Sequence, residues 1–266
     1  MPFFKARTIR ATSLVHAATA DPVLADMGRE LLRLDSGLGL FRLVHLVDAI
    51  SRSSNPQPGS IVSIGSGGGL HETFLARLFP STAILGVDLR DPFAGVTLPN
   101  LSFRQGNIVD HGFATGIPKA DFVFSIECLE HIGDDQAFVK CMAALVKPGG
   151  SLYIQVPFAS DAELADPALV KAEFEAHEHV RPGYSARQLA AICDFAGFHV
   201  GLLEGAFWFP MSPMLWFAAE RFGIETLLPH WPEFLELAQR DLREAIPAHR
   251  GQATAIKVLG IKPRRA

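Results

Sequence analysis

The sequence predicts an α/β fold, and three observations carry that prediction. From Ser60 onward, short apolar runs alternate with amphipathic stretches, the pattern of βαβ units on a mostly parallel sheet. One of these runs, Ile61-Val62-Ser63-Ile64, leads directly into Gly65-Ser66-Gly67-Gly68-Gly69. The next run ends on Val87-Asp88, about 20 residues further on. A strand, a turn without side chains and an acidic residue at the end of the following strand describe a nucleoside-binding crevice.

Composition bounds the remaining possibilities. The 266 residues are enough for one large α/β domain with additions, and 48% hydrophobic against 20% charged residues argues against disorder. Lys+Arg 24 against Asp+Glu 28 gives a net charge of −4, so no nucleic-acid partner is expected. The start carries Lys5, Arg7 and Arg10 without a following apolar core and cleavage site, so no signal peptide is expected. No apolar run reaches the roughly 18 residues of a membrane span. The three cysteines, Cys128, Cys141 and Cys193, are far apart and form no C-x-x-C pair. They read as reduced, buried thiols in a cytoplasmic protein.

Residues 1–55 read as an N-terminal helical cap. Asp21-Pro22 opens a segment with Leu24, Met27, Leu31, Leu32 and Leu34 at helical spacing. A second run, 38–50, sets Leu40, Leu43, Val44, Val47 and Ile50 on one face. Ser53-Ser54-Asn55-Pro56-Gln57-Pro58-Gly59 then breaks the helix. Residues 56–266 follow as the main domain, with strands at 61–64, 83–87, 101–104, 122–126 and 152–156 and helices at 72–78 and 137–146. Lys147-Pro148-Gly149-Gly150 ends the second of these helices, because proline cannot continue it and glycine permits the tight turn. Ser185 is a suitable N-cap for a helix through Phe195. A strand at 198–203 and a mostly helical insertion, 205–250, precede the last strand at 253–261.

A dinucleotide fingerprint requires glycine at its sixth position, where this chain has Leu70. The remaining G-x-G-x-G resembles motif I of the class I S-adenosylmethionine-dependent methyltransferases. Further segments resemble that family in order over about residues 60–197: Asp88, Gly106-Asn107-Ile108, Asp121 to His131, Lys147 to Leu152, and Arg181 to Phe198. The likeness is to the small-molecule, ubiquinone-pathway-like O-methyltransferase branch. It implies a Rossmann-like seven-stranded, mostly parallel sheet with S-adenosylmethionine as cofactor. Gly65, Ser66 and Gly67 would lie under the methionine part of the cofactor, and Asp88, with Leu89 beside it, would take the ribose hydroxyls. Gly106-Asn107-Ile108 stands where the family usually has Gly-Asp, so Asn107 and Ile108 would lie beside the adenine, and Ile126, at the end of the fourth strand, would also contact the cofactor. One residue departs from the pattern: Ser63 occupies the place of an acidic side chain that helps to hold the turn and the cofactor's ammonium.

The resemblance implies methyl transfer to an oxygen of a small-molecule acceptor. A hydroxyl acceptor needs a base, and candidates cluster after the fourth strand. If the chain turns helical there, Glu127, Glu130 and His131 share one face. His131 is expected to act as base or to position the substrate, with Glu127 beside it. Glu-x-x-Glu-His is also similar to a pattern that, with a later histidine, here His177 or His179, holds a divalent metal in related enzymes. The candidate metal set is Glu127, Glu130, His131 and His179, and no metal is expected. His177-Glu178-His179 reads as a solvated lid, with Tyr184 near the same rim. The segment from Phe207 to Phe217 is dense in aromatic and methionine residues and is expected to pack in the core, with an acceptor pocket or a dimer surface as the other reading. Two further functions are kept in view. One is a catalytically silent cofactor-binding partner or regulatory protein, which Ser63 and Asn107 would favour. The other is a nicotinamide-dependent oxidoreductase, against which Leu70 counts.

Overall fold

A computed structural model of the chain describes residues 20–33, 37–90, 97–208, 211–244 and 253–264. The charged start, Leu34, Phe209-Pro210 and the end of the 205–250 insertion lie outside these residues. Helices α1 (Pro22–Arg33) and α2 (Leu38–Arg52) form the cap, with the Asp21 side chain accepting the N–H of Val23 at the start of α1. Then come β1 (Ser60–Ile64), α3 (Leu70–Leu78), β2 (Ala83–Asp88), β3 (Leu101–Gln105), α4 (His111–Thr115) and β4 (Ala120–Ile126). A short 3-10 turn, Leu129–His131, leads to α5 (Asp135–Leu145) and β5 (Val146–Pro157). Helices α6 (Asp161–Leu164), α7 (Pro167–His177) and α8 (Ala186–Phe195) precede β6 (His199–Trp208). After it come α9 (Met211–Phe222), α10 (Ile224–Leu227), α11 (Trp231–Glu244) and β7 (Ala253–Ile261).

The seven strands form one sheet in the order β3-β2-β1-β4-β5-β7-β6. Neighbours from β3 to β5 are parallel, and β7 runs antiparallel between β5 and β6. The strand order reverses between β1 and β4, so the crevice at their carboxyl ends is the place where this architecture binds ligands. Helices cover both faces. On one, Phe122, Phe124 and Tyr153 pack with α1, α2, α3 and α11; on the other, Val123, Ile154 and Val258 pack with α5 and α8. The α1 backbone at Gly28 lies so close to Trp231 of α11 that a Cβ there would fall 2.5 Å from the indole.

Two expectations are corrected. The insertion begins later than residue 205, because β6 continues through Gly205 and Ala206, which pair with Ile256 and Ala255 of the long β7. Lys147 to Gly150 belongs to the bulged start of β5: Ala120 pairs with Val146, and the register resumes at Phe122 with Ser151. Lys147 reaches back to Asp121 at 3.0 Å and to Ser60 at 2.9 Å, tying the amino ends of the strands together. Ser185 caps α8 as expected, through a reciprocal capping box with Gln188. The three thiols are unbridged, and Cys193 is fully buried while Cys128 and Cys141 are half-buried. The aromatic segment divides, with Phe207 and Leu215 in the core and Met214 and Phe217 exposed. Among the described residues, no helix is long and apolar enough to cross a membrane.

Candidate functional site

The glycine turn leaves β1 at its carboxyl end, and Gly65, Gly67 and Gly69 all take positive φ. At Gly65 the need for glycine is doubled, since a Cβ would sit 2.7 Å from Cys128 Sγ. At Gly67 a Cβ would meet nothing within 4 Å, so the turn opens on the crevice. The carboxylate of Asp88, at the end of β2, accepts the N–H of Gly67 at 2.7 Å and that of Arg90 at 2.9 Å. Sequence reasoning paired these two segments, and the structure brings them together. Ser66 is buried in the turn, and its hydroxyl has no partner among the described residues.

Leu89 projects its side chain into solvent beside Asp88, 62% exposed, while its carbonyl accepts from Gln105 Nε2 at 3.1 Å. A flat apolar surface at a strand end suits one face of a purine. Asn107 uses its Oδ1 to accept the Val109 N–H at 3.1 Å, an Asx turn that shapes the loop after β3. The Ile108 side chain is buried in the core, so only its backbone is left to face a ligand. Ile126 is half-buried at the end of β4. This open cradle of backbone N–H groups, a carboxylate and an exposed leucine fits a nucleoside carrying an amino-acid tail.

The turn after β4 departs from expectation. Glu127, Glu130 and His131 do not share a helix face: Glu127 has φ +48, and the 3-10 turn starts only at Leu129. Glu127 instead bonds Arg42 of α2 at 3.0 Å. Glu130 is buried, and its carboxyl is held well above the ordinary range, first by burial and then by the neighbouring Glu127. The structure gathers Glu130, His131 and His179, whose ligand atoms lie within 4.8 Å of one another. Glu127 and His177 stand outside that group.

The segment after α7 brings His179 to this place. Its Val180 N–H donates to the Glu130 carbonyl at 3.0 Å, and its Arg181 pairs with Asp135 and donates to the Ile132 carbonyl. Tyr184, expected at the rim, is fully buried and donates to the Leu129 carbonyl at 3.2 Å and to Asp135 at 3.1 Å. It fixes the two loops against each other instead of facing solvent. His179 Nδ1 bonds Glu173 at 3.0 Å, which leaves Nε2 available. Burial first, and then His131, lower the His179 pKa against the pull of Glu173. Arg42 and Glu173 carried no motif, and Arg181 stood in one that did not point to its partner Asp135, 46 residues away. A cavity of about 590 Å³, lined by Leu164, Val170, Phe174, His179 and Val180, borders this rim.

Comparison with known proteins agrees with this geometry. A family profile described as "Methyltransferase domain" matches residues 40–202. The chain is 27% identical over 177 residues to a ubiquinone biosynthesis O-methyltransferase of Xanthomonas axonopodis pv. citri, covering 62% of this chain and 72% of that protein. It is 32% identical over 115 residues to a trans-aconitate 2-methyltransferase of an Acidovorax species, covering 42% of this chain and 43% of that protein. Among solved structures, coclaurine N-methyltransferase bound to N-methylheliamine and SAH superposes with a TM-score of 0.57. It is 16% identical, covers 98% of this chain and 89% of its own, and attests the fold alone. Since the profile takes in more than half of the sequence, the chain belongs to the methyltransferase-domain family and is a class I S-adenosylmethionine-dependent methyltransferase.

Proposed function

We propose that the chain methylates an oxygen of a small, partly apolar molecule. The observation that supports this most is the position of His131 in the turn that follows β4, with its ring centre 4.7 Å from that of His179. When bound, the cofactor supplies a methyl group already activated on a sulfonium sulfur. Gly65, Ser66 and Gly67 would hold its methionine part, Asp88 its ribose, and Leu89, Asn107, Ile108 and Ile126 its adenine side. His131 would take the proton of an acceptor hydroxyl, which is the one step such an acceptor needs from a base. Glu127, held by Arg42, would orient that acceptor and exclude a competing water. The groove lined by Phe174, Val170 and Val180 would take the acceptor's apolar body. In this reading residues 1–55 are the cap, and residues 56–266 are the catalytic domain.

A second reading is favoured by the convergence of Glu130, His131 and His179. One carboxylate and two imidazoles suit a divalent cation such as Zn²⁺ or Mn²⁺, and Glu173 would orient His179 as an outer partner. The cation would then lower the acceptor hydroxyl's pKa in place of a base.

One experiment tests both readings. Transfer of labelled methyl from S-adenosylmethionine is measured over panels of phenols, aliphatic alcohols, carboxylic acids and amines, with and without EDTA. Turnover of a hydroxyl compound that survives EDTA supports the first reading, and loss restored by one cation supports the second. Turnover confined to amines or carboxylic acids would sink O-methylation of a hydroxyl.

A further inference from the structure

Ser63, two residues before the glycine turn, is fully buried, and its hydroxyl bonds the carboxyl of Glu72 in the first turn of α3. Glu72 is 1% exposed, and its Oε2 has no hydrogen-bond partner among the described residues. The other charged group that acts on it is Asp88 of β2, also a carboxylate. A buried acid next to a second acid, with one oxygen unsatisfied, is costly unless it stays protonated or a cation comes to it. The methyl donor brings such a cation, the α-ammonium of its methionine part.

We propose that Glu72 is the carboxylate that receives the α-ammonium of S-adenosylmethionine, with Ser63 holding it in place. The proposal rests on the cofactor lying over Gly65–Gly67 with its ribose at Asp88. It accounts for three facts together: a short serine on β1, a glutamate turned inward from a helix start, and an acceptor atom left over. Burial, with a smaller push from Asp88, holds the Glu72 carboxyl up at about 7 although Ser63 draws it down. Near neutral pH a large share of the carboxyls are therefore protonated. Arrival of the ammonium favours the carboxylate, and the proton leaves to solvent.

Calorimetry with two ligands tests this. S-adenosylhomocysteine carries the amino-acid tail, whereas 5′-deoxy-5′-methylthioadenosine has the nucleoside and neither amine nor carboxylate. Glu72→Gln is expected to weaken the first by about 10- to 100-fold and to leave the second within about twofold. Ser63→Asp added to Glu72→Gln is expected to recover most of the loss. In wild type near pH 7, the buffer dependence of the binding enthalpy is expected to show proton release with the first ligand alone, a readout that also decides the matter if the variants fail to fold. Equal weakening of both ligands, or of neither, together with no proton release, would overturn the proposal. Asp88→Ala separates the two levels: if it weakens neither ligand, the cofactor placement itself is wrong, and if it weakens both while Glu72→Gln weakens neither, only the role of Glu72 fails.

Discussion

The carboxylate of Asp88 accepts the backbone N–H of Gly67 at 2.7 Å, joining the end of β2 to the open part of the glycine turn. A carboxylate has about four lone-pair sites. Asp88 spends one on Gly67 and one on Arg90, which leaves capacity for two ribose hydroxyls. Asp88→Ala should weaken S-adenosylhomocysteine by about 10- to 100-fold, through lost charged hydrogen bonds and a less ordered turn. Asp88→Asn, which keeps one acceptor oxygen, should lose less. Isothermal titration of both variants checks the order, and an unchanged affinity in the alanine variant would remove Asp88 from the site.

His131 lies in a turn held by a backbone bond to Cys128 and by the Val180–Glu130 contact, and its Nδ1 lies 3.3 Å from the Glu178 carbonyl. His131→Ala should lower kcat on a hydroxyl acceptor by about 100-fold or more, the usual worth of a positioned base. Cofactor affinity should stay within about twofold. An acceptor that arrives deprotonated, such as a carboxylic acid, should be turned over by the variant almost as well as by wild type. Equal losses on both acceptor types would assign His131 to positioning, not proton transfer.

Much of the fold was legible because the central strands are buried on both faces. Ile61 to Ile64 and Phe122 to Ile126 read as apolar runs, and the structure lengthens each by a residue or two. The end of β6 was missed since Gly205 and Ala206 carry little strand signal of their own and are held by the ladder to β7. At the candidate site, the approach of Asp88 to the glycine turn was readable because a turn without side chains and an acid at the end of the next strand meet at one crevice in such a sheet. The backbone at Glu127 was not, because nothing in a glutamate announces a left-handed φ. Glu72 was hidden for a different reason. An acid in the first turn of a helix ordinarily reads as a partner for the helix dipole, and only the fold turns this one inward.

The Glu72 carboxyl also couples stability to pH. Its pKa in the folded chain is raised to about 7 from an ordinary 4.5, chiefly by burial. The folded state therefore holds this proton more tightly than the unfolded chain does. The stabilisation is complete below the unfolded value and is lost as pH rises through the folded one. Between about pH 5 and pH 8, the cofactor-free protein should lose about 2–3 kcal/mol of unfolding free energy from this group. Glu72→Gln cannot titrate, so its urea-derived stability should fall less over that window and exceed wild type at the alkaline end. Parallel curves for the two proteins would show that the carboxyl keeps its ordinary pKa.

A second buried polar chain ties the insertion to the cap, and its residues lie too far apart in sequence to suggest one another. His45 of α2 meets Asp241 of α11 at 2.7 Å and Lys257 of β7 at 2.6 Å, across separations of 196 and 212 residues. An ammonium can only donate, so Lys257 fixes His45 Nδ1 as acceptor and places the ring proton on Nε2, facing Asp241. Burial and then Lys257 lower the His45 pKa in spite of Asp241, which agrees with a neutral ring. Asp241 also accepts the N–H of Phe207, a residue with φ +55, at 3.1 Å. Removing this carboxylate takes the buried acceptor from the His45 ring and from the Phe207 N–H, while Lys257 keeps its pair with Glu204 at 3.4 Å. Asp241→Ala should therefore cost about 3–5 kcal/mol in denaturant unfolding, the usual loss when one member of a buried ionic group is deleted. Arg29→Ala, which removes an exposed pair with Asp26 on α1, should cost about 1 kcal/mol or less. Amide exchange should separate local from global effects, because loss of Asp241 should speed exchange along α11 before the β1–β4 strands respond. If the two variants proved equally stable, the chain from Lys257 to Asp241 would be a passenger of the packing around it, not a tie between α11 and the sheet.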